Sequence, residues 1–219
     1  MLSLIRKPYV FIALIVLGAF LIGGAYFYIS RNVAFEDDYA AYTALAEEHT
    51  QAAYLPAANN NPLRQELNQT LGQVLAGEMS NSERLALAER GLELLDELEQ
   101  QIDAIGERGI AVDEAITALE EDGGLLALGG TAELLTLARE RSAIIADIRG
   151  LSYRANFHTA EIFNRVVDDG GALTAAHVGI LNDQVPKVEE QFNKRSNLYD
   201  ELQTTSQKID TAFAKMAGK

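Results

Sequence analysis

From Val178 to Met216, apolar residues return at alternating steps of three and four: Val178, Leu181, Val185, Val188, Phe192, Tyr199, Leu202, Ile209, Phe213 and Met216. Arg195 and Ser206 are the two polar members of the series. Charged and amide residues fill the positions between. This is the pattern of a long helix with one narrow buried stripe, and such a stripe needs partner helices. Pro186 falls early in it and predicts either a kink or a new helix start.

The same period recurs upstream. Phe35, Tyr39, Tyr42, Ala46, His49 and Ala53 form a stripe that ends at Leu55-Pro56. Asn61 is placed to cap a short helix with Pro62 in its first turn and Leu63, Leu67, Leu71, Val74 and Leu75 on one face, stopping near Gly77. Ser80 and Glu83 read as a capping box. The helix they open carries Leu85, Ala88, Leu92, Leu95, Leu98, Ile102 and Ile105, and Gly106 and Gly109 are expected to end it, with two further turns over 113–121. Thr131 is expected to cap a helix reaching about Asp168. Its stripe holds Leu134, Leu135, Ala138, Ile145, Ile148, Ala155, Ile162 and Val166, interrupted by Arg141, Ser152 and Thr159, and Gly170-Gly171 ends it.

No strand-like alternation of useful length occurs. The expected fold is therefore all-α: a single N-terminal transmembrane helix followed by an elongated antiparallel helical bundle with coiled-coil-like seams. The short glycine connection makes the last two helices a hairpin. Phe192, Tyr199, Leu202, Ile209 and Phe213 are expected to pack on the helix of residues 131–168, around Ile145, Ile148, Ile162 and Val166.

The N-terminal segment has a different character. Tyr9 to Ile29 contains no charged residue, and 21 residues at about 1.5 Å each cover about 31 Å, the thickness of a bilayer's hydrocarbon core. Gly23-Gly24-Ala25 resembles a signal-peptide cleavage site, but Tyr26 to Ile29 carry the apolar run past it, which favours an uncleaved anchor. Arg6 and Lys7 precede the span and Glu36, Asp37 and Asp38 follow it, so the amino terminus is expected in the cytoplasm. The domain reading is a short cytoplasmic head at 1–8, a transmembrane anchor at 9–30 that meets the lipid bilayer through residues 9–29, and an extracytoplasmic bundle at 31–219, periplasmic or extracellular. No Gly or Pro lies between Ile29 and Leu55, so span and first bundle helix are expected to be continuous.

Charge sharpens the picture. Beyond Arg31 the chain carries 15 basic and 32 acidic side chains, a net charge of −17, which repels nucleic acid and anionic lipid faces. There is no cysteine, so thiol catalysis and Cys-ligated metal are excluded.

Candidate chemistry is sparse. Bundle metal sites use Glu-x-x-His pairs, but Ala46, Ala155 and Thr174 stand three residues before His49, His158 and His177. His158 and Glu161 make one isolated pair. No nucleophile elbow or phosphate-binding glycine loop is present. No catalytic, cofactor-binding or metal-ligating residue is assigned, and no cofactor is expected.

The candidate interaction residues are Leu125, Leu126 and Leu128, in an apolar stretch framed by Gly123-Gly124 and Gly129-Gly130, together with Arg195, Tyr199 and Phe213 on the last stripe. The leucines read as a plug closing the bundle end or as a docking tip. Arg195, with Arg141, Ser152, Thr159 and Ser206, reads as a snorkelling or register-setting intrusion. The expected function is that of a membrane-anchored, non-enzymatic envelope protein, acting as an interaction, stalk or scaffold subunit through a protein partner or self-association. The alternative is an extracytoplasmic sensory bundle that binds a ligand and signals through a partner.

Overall fold

A computed structural model describes residues 8–76, 79–126 and 130–216, together with their side chains except those of 8–16, 28, 31–32, 122–126, 175–176 and 178. The described residues form helices and no strand. They are α1 (Pro8–Tyr54), a 3₁₀ turn (Leu55–Ala57), α2 (Pro62–Leu75), α3 (Asn81–Leu126), α4 (Thr131–Asp168) and α5 (Ala175–Met216).

Helix ends follow local chemistry. Asn61 Oδ1 accepts from the Leu63 amide with Pro62 opening α2. The Ser80 amide donates to Glu83 Oε2 while Ser80 Oγ accepts from the Glu83 amide, completing the capping box of α3. Gly170 and Gly171 adopt φ of 60° and 82°, and their amides return to the Val167 and Val166 carbonyls to close α4. Thr131 is the exception. Gly130, at φ 121°, occupies the cap position of α4 without a side-chain bond, and the buried Thr131 hydroxyl has no partner.

Helix pairing is antiparallel throughout. Along α3, His49 lies beside Gly109, Asn61 donates to Gln101, and Glu66 pairs with Arg90, so α1 and α2 form one column running against α3. Gly91 faces Phe163 and Ser142 donates to Asp113, so α4 returns along α3. Arg195 meets Ser152 and Met216 meets Gly130, so α5 returns along α4. The result is an up-down-up-down bundle of four columns.

Three apolar clusters stack along the axis. One holds Tyr42, Ile116, Leu134 and Ile209, the next Ile105, Ile145, Ile148 and Leu202, and the third Leu67, Leu98, Phe163 and Val166. Polar residues separate them: Arg141 lies between the first and second, and Ser152 with Arg195 between the second and third.

Two expectations are corrected. Gly106 and Gly109 do not end a helix, and 113–121 is not a separate one, because α3 runs unbroken to Leu126 and takes up Gly123 and Gly124. Gly106 and Gly109 sit inside the helix and face side chains of neighbouring helices: a Cβ on Gly106 would fall 2.6 Å from Cζ at the far end of Arg149, and one on Gly109 would make ordinary contact with His49 Nε2 at 3.4 Å. Likewise, of the two expectations at Pro186 the new helix start is corrected: α5 is one helix from Ala175 to Met216 with Pro186 inside it, and Val185 beside it is exposed. The predicted anchor at 9–30 falls partly on side chains outside the described set, and the head at 1–8 lies outside the described residues except for Pro8, which opens α1. Among the described residues, no helix is long and apolar enough to cross a membrane.

Candidate functional site

The bundle is not equally tight on all sides. The backbones of α3, α4 and α5 pack closely in sequence and α1 and α2 close on α3, whereas α1 and α2 approach α5 through long side chains. Tyr39 stacks on Phe213 with ring centroids 3.6 Å apart, and Tyr54 stacks on Tyr199 at 4.5 Å. Beyond the second bridge the seam opens at the point where column one breaks. The 3₁₀ turn at Pro56 and the Asn61 cap end one helix and start the next, so no continuous helical face covers α5 there.

The opening is a groove of about 340 Å³ whose walls include Asn59, Arg64, Asn68, Phe192, Arg195 and Tyr199. The Phe192 ring carries both guanidiniums, with Arg64 Cζ 4.5 Å and Arg195 Cζ 4.8 Å from its centroid. Arg195 is buried, 7% exposed, and donates one bond, from Nη1 to Ser152 Oγ at 3.1 Å. Tyr199 is held in place by its hydroxyl, which donates to the Ala53 carbonyl at 3.0 Å. Burial, with the neighbouring Arg195 charge adding to it, pulls the Arg64 pKa down to about 10. Burial lowers that of Arg195 as well and raises that of the Tyr199 phenol.

Neither arginine pairs with a carboxylate among the described residues, whereas four others do. Arg90 reaches Glu66, Glu93 and Glu97; Arg139 reaches Glu120; Arg149 reaches Asp103; Arg165 reaches Asp169. Two further buried arginines, Arg84 and Arg141, donate to oxygens of the fold, although Arg141 Nε has no hydrogen-bond partner among the described residues. Arg84 donates to the carbonyls of Val74, Gly171, Ala76 and Met79, tying α2 to the α4–α5 turn. Arg141 donates to the Ala46 carbonyl and the Thr50 hydroxyl. Arg64 and Arg195 have ten guanidinium donors between them and no comparable set of acceptors.

Of the interaction residues expected from sequence, Arg195 and Tyr199 thus line one groove. Phe213 lies at the other end of the same seam, half-buried against Tyr39. Leu125 and Leu126 belong to the last turn of α3 with side chains outside the description, and Leu128 lies outside the described residues altogether. Phe192, expected in the core, instead supports the arginine pair. Arg64 escaped notice because its sequence neighbourhood is a plain amphipathic helix, although a cation in the first turn of a helix, against its dipole, was a readable signal.

The histidines have local roles. His177 accepts from the Thr174 amide at 2.8 Å and so caps α5, and His158 bonds Gln184. His49 is buried beside Gly109. Among the described residues, no group of three or more His, Asp or Glu side chains is placed to hold a metal ion. A larger groove of about 670 Å³ on the α1–α3 side presents Glu48, Glu97 and Arg108, and none of its charged walls is buried. A guanidinium neither gives up nor takes a proton near neutral pH, so the arginine pair can bind an anion but cannot act as acid or base. Comparison of the chain with protein families, with characterised proteins and with solved structures yields no match.

Proposed function

We propose that this protein is a membrane-anchored, non-enzymatic helical bundle of the cell envelope, with residues 31–219 outside the cytoplasm as an interaction, stalk or scaffold subunit. One observation carries the reading. Helix α1 is continuous over 47 residues; its later part, from Phe35 to Ala53, is built into the bundle, while Leu17, Phe20, Leu21, Ile22, Tyr26 and Ile29 before it are each more than half exposed. Phe20, Ile22 and Tyr26 are 80%, 74% and 75% exposed, and a Cβ on Gly18, Gly23 or Gly24 would touch nothing. A helix apolar on all sides needs an apolar surrounding, and the charge-free run of residues 9–29 has the length of a bilayer core. The basic flank before it and the acidic trio after it set the orientation.

The sensory alternative has its own support in the groove between column one and α5. The same α1 that would cross the bilayer bounds that seam, so a ligand drawing α2 and α5 together would act on the helix entering the membrane.

Alkaline carbonate extraction of membranes from cells expressing the full-length chain tests the anchor, and protease added to intact cells or spheroplasts tests the orientation. Retention in the membrane with digestion of the domain from outside is expected. Release into the alkaline supernatant overturns the anchor, and protection of the domain until the membrane is opened overturns the orientation.

A further inference from the structure

We infer that the groove between α2 and α5 is a binding site for a small dicarboxylate, held by Arg64 and Arg195. The inference gives the ligand class for the sensory reading and rests on it, but it does not depend on the membrane anchor.

The argument starts from cost. Removing a guanidinium from water without an anion or a full set of acceptors is unfavourable, and placing a second one on the same aromatic ring adds repulsion. Arg64 adds a third unfavourable term by standing in the first turn of α2, where the helix dipole disfavours cations. Acid was abundant: the chain has 32 Asp and Glu side chains, and they pair with Arg90, Arg139, Arg149 and Arg165. Among the described residues no ion pair joins a carboxylate to either arginine, and no acidic residue lines the groove. The missing charges are therefore ones a ligand would bring, two of them, in the planar geometry that guanidinium forks match best.

The walls narrow the class. With two guanidiniums and no acidic residue in its walls, the site disfavours an ammonium group, so a dicarboxylate without an amine fits it better than a zwitterionic amino acid. A volume of about 340 Å³ is at the small end of ligand sites and equals on the order of ten waters, too much space for inorganic phosphate alone. Asn59 and Asn68 supply amides and Tyr199 and Phe192 apolar faces, which suits a short carbon chain between two carboxylates.

Isothermal titration of the full-length protein in mild detergent, with thermal melting in parallel, tests this with four probes: succinate, acetate, alanine and inorganic phosphate. Succinate is expected to bind saturably and to raise the melting temperature, acetate at least tenfold more weakly, and alanine not at all. Arg64→Gln is the informative variant because Arg64 makes no hydrogen bond that holds the fold. It should weaken succinate binding at least tenfold while leaving the ligand-free melting temperature unchanged or higher, since a half-buried cation without a carboxylate partner is removed. A merely structural arginine would lower it. Arg195→Gln, whose bond to Ser152 links α4 and α5, should weaken binding equally at some cost in stability. Failure of all four probes to bind, or full succinate affinity in both variants, overturns the site. Phosphate binding more tightly than succinate overturns the dicarboxylate class. None of these outcomes touches the anchor, which carbonate extraction decides separately.

Discussion

Replacing Gly91 by Ala should destabilise the protein while the same change at Gly150 stabilises it, although both glycines are interior to long helices. At Gly150 an added methyl meets nothing within 4 Å, so the substitution keeps only its backbone benefit, about 0.5–1 kcal/mol. At Gly91 the methyl would lie 2.4 Å from Cζ of Phe163, whose side chain is fully buried in the α2–α3–α4 cluster. That ring cannot swing into solvent, so helix α3 or α4 must shift, and overpacking of this kind costs about 1–3 kcal/mol. The propensity gain is common to both variants, so the difference between them isolates the clash at about 1–3 kcal/mol. Each kcal/mol corresponds to about 2–4 °C in melting temperature for a chain of this length. Gly106→Ala should follow Gly150, because the obstacle there is the far end of the half-buried Arg149 side chain, which can move aside. Urea melts of the full-length protein in mild detergent, followed by circular dichroism with equal slopes required, provide the midpoints. Adding Phe163→Leu to Gly91→Ala should recover part of the loss, with a coupling of about 0.5–3 kcal/mol. If Gly91→Ala raises the midpoint as much as Gly150→Ala, the α3–α4 register described above is wrong.

Two further outcomes follow from burial and stacking. Burial, with the Arg141 charge next and Arg108 adding to it against the opposing Asp113, holds the His49 imidazole at about 4, below its ordinary 6.5. Between those values the unfolded chain binds a proton that the folded chain refuses, so this contribution to stability is complete above about pH 6.5 and is lost as pH falls toward 4. The urea midpoint of His49→Gln should fall less steeply over that window than that of the parent, and coincident slopes would refute the assignment. Phe213→Ala, which removes a half-buried ring stacked on Tyr39, should cost about 2 kcal/mol, less than the 3–5 of a fully enclosed phenylalanine. Glu190→Ala, an exposed partner of Lys194, should cost a few tenths. An unchanged midpoint for Phe213→Ala, combined with loss of a co-purifying protein, would make that end of the seam a docking surface.

The amino-acid sequence by itself determined the helices, because their signals are local. A stripe recurring at 3.6 residues, a Ser80–Glu83 box, an Asn61-Pro62 start and a Gly170-Gly171 stop each act within a few residues, and all of them hold in the structure. The stripe of Phe35, Tyr39, Tyr42, Ala46, His49 and Ala53 is buried at every position for the same reason. What failed was reading a residue's purpose from its type. Gly106 and Gly109 look like stops, yet helix α3 runs through both, because packing against side chains forty to sixty residues away in the chain holds it together there. Phe192 looks like core, yet α2 does not close over it. Only the tertiary structure decided that Arg64 and Arg195, separated in the chain by the whole of α3 and α4, share one aromatic ring in an open seam. Only there does it become visible that, in an acid-rich chain, these two cations lack a carboxylate partner, because pairing depends on which faces the helices turn to one another and not on how much charge the sequence contains.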